Sequence, residues 1–352
     1  MSDTDTVAAQ QAASSPKRLL TLLVPVYNEA LKLMGSLTQL NEHLRGLADR
    51  WDVELLVVDD GSTDETGAIA DAFAAHHDHV RVLHQPSNMR LGQALRTGFA
   101  ASRGDVIVVF DSDLSYSPDH IDRMLDAMAA EHADIVVASP YSKGGRTTAI
   151  PWRRAVMSRQ VNRLLSATSQ YDLKTMTGMV RAYDGDFIRS LSLKSMGPEI
   201  NTEIIYKAQV LRARVAEIPA HLDWSDQAER MAKRRVPLRV STTSKLLVFA
   251  GFLFRPILFF IIPGVLLLAV SAWSAGSLLL TVLHEAQDDR GGLDYRLTHA
   301  FAHAWEQRPQ TFIIAGFTAV LSVQLISLGV LAAQAKRYFE ELFFALSRSP
   351  GE

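Results

Sequence analysis

The chain has 352 residues, 48% apolar and 21% charged, which leaves room for about two structural units. Its 36 basic and 38 acidic side chains give a net charge of −2, with no overall nucleic-acid signature. The absence of cysteine excludes a disulfide framework, a thiolate zinc site and a cysteine nucleophile.

Met1–Pro16 is polar and has neither the basic n-region nor the apolar h-region of a signal peptide. Residues 1–17 are therefore expected to be a disordered tail, with the following domain in the cytoplasm. Leu19–Val26 and Val53–Val58 have the length and apolar character of buried strands, and a helical pattern runs between them from Ala30 to Ala48. Ser62 to Glu65 has capping-box spacing and predicts a helix to about His76. Val80–His84 reads as a strand, Leu91–Ser102 as a helix and Val106–Phe110 as a strand. Ser117-Pro118 predicts a helix start with proline in the first helical position, running to Ala130, before a strand at Ile135–Ser139. His76, His77 and His79 read as solvated groups at a helix end. This alternation predicts an α/β fold, a mostly parallel sheet with helices on both faces.

From Pro256 to Leu283, and again from Pro309 to Ala335, no residue is charged. A run of about 20 apolar residues crosses a bilayer core, so two C-terminal transmembrane helices are expected. Lys233, Arg234, Arg235, Arg239 and Lys245 precede the first run, and Lys336 and Arg337 follow the second. The segment His284–Arg308 carries five acidic residues against three arginines. The positive-inside rule then puts both termini in the cytoplasm and the loop at 284–308 outside. Leu246–Phe254 reads as an interfacial helix ahead of Arg255-Pro256, and Tyr338–Leu346 as an amphipathic surface segment. The expected division is a tail (1–17), a catalytic domain (18–240), a juxtamembrane and two-span region (241–337), and a cytoplasmic tail (338–352).

In a parallel sheet ligands bind beyond the carboxyl ends of the strands. Four loops occupy such places: Pro25-Val-Tyr-Asn-Glu29, Val57-Val-Asp-Asp-Gly-Ser-Thr-Asp64, the segment around Asn88, and Phe110-Asp-Ser-Asp-Leu-Ser-Tyr-Ser-Pro118. Each has a bland reading as a cap, a turn or a solvated loop. The fourth has the clearest chemistry. Asp111 and Asp113 follow a buried strand with one small residue between them, and two carboxylates so placed repel unless a cation joins them. Mg²⁺ or Mn²⁺ is held in this manner, with substrate phosphates completing the shell.

Together, in this order and spacing, the loops resemble an inverting family-two glycosyltransferase of the GT-A fold. Ser139–Gly145, Trp152–Asn162, Thr177–Tyr183 and Glu199–Ala208 are similar to later blocks of the dolichyl- or polyprenyl-phosphate sugar synthases. The two apolar runs match the membrane-anchored bacterial branch of that subfamily. The resemblance implies metal-dependent, inverting transfer of a sugar from a UDP- or GDP-linked donor to a polyprenyl phosphate. It places Pro25, Tyr27 and Glu29 around the nucleoside, Asp59 on the base and Asp60 in support of its loop. It makes Asp111 and Asp113 the metal ligands and gives Arg154 and Ser158 the lipid phosphate. Ser115 stands where some relatives have a glutamine ligand. Pro140 stands where arginine is frequent, with Lys143 or Arg146 as substitutes, and Arg90 stands where glycine is usual, either meeting the diphosphate or pointing outward.

A phosphate acceptor needs no strong base; a sugar hydroxyl would need one, and Glu199 and Glu203 are then the candidates. Two other readings stay open: a processive polysaccharide synthase, with Gln227–Met231 a near match to that group's Gln-x-x-Arg-Trp, and a nucleotide-binding membrane scaffold without turnover. The sugar is unassigned, with a slight lean to UDP-glucose over GDP-mannose by analogy. Gly316 and Gly329 permit close packing of spans, which leaves a homo-oligomer open.

Overall fold

The computed structural model describes residues 17–168, 171–225, 257–288 and 292–348. The expected tail at Met1–Pro16, the basic residues from Lys233 to Lys245, Gln227–Met231 and Leu246–Phe254 lie outside the described residues. The chain divides into two compact units, Met1–Leu246 and Leu247–Glu352.

In the first unit β1 (Arg18–Val26), α1 (Leu33–Gly46), β2 (Trp51–Asp59), α2 (Thr66–Ala74), β3 (Val80–His84), α3 (Leu91–Ala101), β4 (Val106–Val109), α4 (Asp119–Glu131) and β5 (Ile135–Ser139) follow in turn. Then come β6 (Arg146–Thr148), α5 (Trp152–Thr168), β7 (Arg181–Asp184), α6 (Gly185–Ser190), α7 (Ile200–Val210), β8 (Val215–Pro219) and β9 (His221–Asp223). The main sheet has seven strands in the order β3-β2-β1-β4-β7-β5-β8. Its neighbours are parallel except at β7, which runs antiparallel to both β4 and β5. This is the mostly parallel GT-A arrangement expected. The strands are nearly continuous apolar runs because both faces are covered: Leu22, Val24, Leu55, Val57, Val108 and Val136 have no exposed surface. On one face Leu33, Leu37, Leu40 and Leu44 of α1 recur at helical spacing and are fully buried in the same core.

Three local expectations differ. Ser62 caps no helix, and α2 starts at Thr66 with no side-chain cap on the preceding residue. The Ser62 hydroxyl instead accepts from the amide of Asn28, 3.0 Å away in the first loop. Pro118 flanks α4, whose first helical residue is Asp119. His76 and His77 do sit at a helix end, each with Nδ1 2.8 Å from a carbonyl of α2. His79 instead meets Asn41 of α1 through Nε2, at 2.6 Å.

The second unit consists of a π-helical turn (Ile257–Ile261) leading into α8 (Ile262–Asp288), then α9 (Leu293–Gln307) and α10 (Pro309–Arg348). Two stretches, Phe259–Ala286 and Pro309–Ala335, are long and apolar enough to cross a membrane, with mean hydropathies of 2.0 and 2.1 over an 18-residue window in each. Large apolar groups such as Leu266, Trp273, Leu280 and Phe317 point outward from them. The connection between them, expected as a loop, is mostly the 15-residue helix α9. Its Arg296 donates through Nε to the carbonyl of Ala286 at 2.6 Å, and its Phe301 and Trp305 pack on Phe312.

Candidate active site

The sheet register brings the first three loops together. Val26 pairs with Asp59, and Asp59 with His84, so β1, β2 and β3 end side by side. Side chains then stitch the loops across. The amide of Glu29 donates to the Thr66 hydroxyl at 2.8 Å, the amide of Thr63 to the Asn28 carboxamide oxygen at 2.8 Å, and the amide of Ala30 to Asp64 at 3.3 Å. Asp59 is buried and accepts from the amide of Ser62 and from Nδ1 of His84, both at 3.0 Å. His84 also meets Asp71 through Nε2 at 3.0 Å, and its hydrogen bonds to Asp59 and then Asp71 hold the imidazole pKa above its ordinary value. Asp60 accepts from the amide of Met89 at 2.9 Å. Burial raises the pKa of its carboxyl, an effect the amides of Met89 and Arg90 oppose. Of the residues assigned to the nucleoside, Pro25 is buried in β1, Glu29 is half-buried and Tyr27 is exposed.

Asp111 and Asp113 lie beyond β4. The amide of Phe110 donates to the carbonyl of Leu23 at 3.0 Å, so Asp111 leaves the sheet beside the end of β1. Both line a cavity of about 330 Å³. Burial, and then the charge of Asp113, push the Asp111 carboxyl up to about 7. A divalent cation between the two would relieve both causes and displace that proton. Among the described residues no cluster of three or more His, Cys, Asp or Glu could hold a metal by itself. The pair fits an ion that takes its remaining ligands from substrate phosphate and water.

Across the cavity stands α5, which presents Ser158 and, four residues on, Asn162. Tyr141 donates its hydroxyl proton to Ser158 Oγ at 2.9 Å. The Asn162 amide donates to the Ser158 carbonyl at 3.0 Å, while its oxygen accepts from the amide of Met176 at 2.7 Å and that of Thr177 at 3.2 Å. Ser139 and Thr175 share a hydrogen bond of 2.6 Å beneath them. A separate two-stranded ribbon, β6 paired with β9, supplies Leu222, and Trp224 follows it into the wall. The amide of Asp223 donates to the carbonyl of Ser115 at 2.8 Å, which ties that wall to the acidic loop.

Several expectations meet this geometry directly. Arg154 falls in the first turn of α5, and its side chain lies outside the described residues. Pro140 lines the cavity, whereas Lys143 and Arg146 are exposed and absent from its lining. Glu203 accepts from the amides of Lys194 and Ser195 and from Lys207 Nζ at 2.6 Å. Burial pushes its pKa up, but Lys207 and Ser195 outweigh this and hold it below the ordinary value. Neither Glu203 nor Glu199 lines the cavity. Tyr141, Asn162, Thr175, Thr177 and Trp224 are lining residues to which the sequence gives no individual role; the first, second and fourth lie in the blocks that carry the family resemblance, and Asn162 also stands at helical spacing from Ser158.

Residues 21–191 match the model of glycosyl transferase family 2. The chain is 33% identical to a polyprenol monophosphomannose synthase of Mycolicibacterium smegmatis over 59% of its own length and 78% of that protein's. The chain belongs to glycosyl transferase family 2. Within the family it is also 32% identical to an undecaprenyl-phosphate mannosyltransferase of Micrococcus luteus, covering 57% of this chain and 82% of that one. It is 29% identical to a dolichol-phosphate mannosyltransferase of Pyrococcus furiosus over 57% of this chain, a match that spans 55% of the relative. These similarities support the polyprenyl-phosphate sugar synthase subfamily and make the protein a glycosyltransferase.

Proposed function

We propose that this glycosyltransferase moves a hexose from a nucleotide sugar to the phosphate of a polyprenyl phosphate, with inversion at the anomeric carbon and with Mg²⁺ or Mn²⁺ at Asp111 and Asp113. The observation that carries the reading is the cavity joining the acid pair to the Ser158 face of α5, with no further carboxylate among the described residues that line it. A hydroxyl acceptor would need a base there, whereas a phosphate oxygen is already anionic at neutral pH.

Ser158 accepts the Tyr141 proton, so its own proton is free to be donated to an acceptor phosphate. Asn162 ties that turn of helix to the 176–177 segment of the cavity wall and so holds the Ser158 side in place. Arg154, one turn before Ser158, would add the positive charge a phosphate requires. A bound divalent cation would neutralise the diphosphate as it leaves. Asp59, Asp60, Pro25, Tyr27 and Glu29 would hold the nucleoside on the adjoining strand ends. The work of the protein is then to position two anionic reactants, which is proximity and electrostatic catalysis. Three relatives whose names specify mannose favour a mannosyl donor over the glucosyl donor expected at first. The basic residues flanking the two apolar helices favour a catalytic unit on the cytoplasmic side of an inner membrane.

The test is transfer of radiolabel from GDP-mannose, UDP-glucose and other nucleotide sugars into organic-extractable lipid, with polyprenyl phosphate and Mn²⁺ or Mg²⁺. Labelled lipid is expected with one donor, falling about a hundred-fold or more in Asp113→Ala. Nucleotide binding without labelled lipid from any donor would overturn the reading in favour of a polymer synthase or a scaffold.

A further inference from the structure

Helix α5 has two unlike sides. Val161, Asn162 and Leu165 are buried, and with Ser158 they face the cavity and its supports. The opposite side carries Trp152, Val156, Arg159 and Arg163, spaced four, three and four residues apart. Trp152 is 71% exposed and Val156 48%, and both arginines are exposed. The whole helix contains four arginines and no acidic residue, within a chain whose net charge is −2.

A stripe of tryptophan, an aliphatic residue and arginines on one helix side is the pattern of a segment lying in a membrane interface. The same chain carries two helices apolar enough to cross a bilayer, so a lipid surface is available to it. We propose that the Trp152–Val156–Arg159–Arg163 side of α5 rests on an anionic bilayer surface. Trp152 and Val156 enter the headgroup boundary, and the two guanidinium groups meet lipid phosphates. The cavity on the other side is thereby held about one helix diameter, ~10 Å, above the lipid from which its acceptor comes. Arg159 also lies over the ring of Tyr141, its guanidinium carbon 5.8 Å from the centroid, and Tyr141 donates to Ser158. Lipid contact on the outer side therefore has a short physical route to the cavity. This deepens the function proposed above and depends on it only for the identity of the acceptor.

The native chain has no cysteine, so Val156→Cys gives the full-length protein a single site for a nitroxide label. Asp78→Cys, at an exposed turn, serves as the water-facing control. Both are reconstituted into phosphatidylcholine vesicles with and without phosphatidylglycerol, and collisions with oxygen and with a water-soluble nickel complex are compared. The expected result is a several-fold fall in nickel accessibility at position 156, but not at 78, in the anionic vesicles. Adding Arg159→Glu and Arg163→Glu should return the label to water. In the cysteine-free protein Arg163→Glu alone, which leaves Arg159 over Tyr141, should raise the KM for polyprenyl phosphate several-fold, with donor KM and kcat unchanged. A label at 156 as open to nickel as that at 78 overturns the proposal, and so does equal immersion in vesicles lacking the anionic lipid. Immersion without any sugar transfer in the parent protein would overturn the proposed reaction while supporting the docking.

Discussion

His84 shows how a residue with no motif can organise a site. It ends β3, and its two ring nitrogens meet Asp59 and Asp71, so the imidazolium gains two carboxylate partners on folding. Its folded pKa accordingly lies above the unfolded value of about 6.5. The stability it contributes is complete below about pH 6.5 and is lost as the pH rises through the folded value. His84→Gln should therefore destabilise more at pH 6 than at pH 8.5, as read by thermal melts of both proteins across that range. A deficit independent of pH would show that the carboxylate contacts carry no charge-dependent stability. Asp59 was legible from its loop. Its histidine partner was not, because the contact depends on the register of β2 with β3, and the sequence of either strand alone does not set that register.

At the scale of elements, the loop between β3 and α3 is clamped on the loop after β2. A Cβ on Gly61, whose φ is +67°, would fall 2.2 Å from the carbonyl carbon of Ser87, so only glycine allows the two backbones to touch. The clamped chain then passes through Arg90 at φ 74° and ψ 161°, a region open essentially to glycine alone. Such strain costs of order 1–3 kcal/mol, against about 0.5–1 kcal/mol lost to the unfolded freedom of glycine. Arg90→Gly is therefore expected to stabilise the protein by about 1 kcal/mol in denaturant titration; a loss of stability would mean that the guanidinium makes a compensating contact. The apolar strands and most helices could be read from periodicity because burial on both faces leaves an unambiguous signal. The capping box at Ser62 misled because its hydroxyl serves a loop 34 residues away. β6, β7 and β9 are three or four residues long and, unlike the all-apolar β4, are interrupted by polar or charged residues, so neither alternation nor an apolar run shows. The acid pair and Ser158 were legible as motifs and Tyr141 lay within one, whereas Thr175 and Trp224 join the cavity only through tertiary packing.

For the molecule as a whole, the second unit rests on close helix approach. A Cβ on Gly264 of α8 would lie 2.8 Å from Ile326 and 3.2 Å from the Ser322 carbonyl oxygen of α10. Gly329 stands equally close to Ile261, while Gly276 and Gly316 face open space. A hydrogen bond of 2.8 Å from Ser271 to the Ala315 carbonyl adds a polar tie between the same helices. Gly264→Leu should cost about 1–3 kcal/mol through overpacking, seen as a lower melting temperature of the detergent-solubilised protein. Gly276→Leu should be nearly neutral, and equal losses at both positions would refute close packing as the cause. Within this unit Gly329 thus sits at a close helix approach and Gly316 does not, a distinction invisible to composition.

The antiparallel strand β7 bears on how such a chain assembles as it is synthesised. β4 and β5 follow each other in sequence but are not neighbours, and among the described strands β5 hydrogen-bonds only to β7 and β8, both of which come later. A nascent chain that has emerged through Ser139 can therefore zip β1 to β4 into a four-stranded half-sheet, but β4 keeps a bare edge and β5 has nothing to pair with. Closure waits for Arg181–Asp184 to thread between them, a late, long-range step of the kind that slows folding and exposes unpaired edges to other chains.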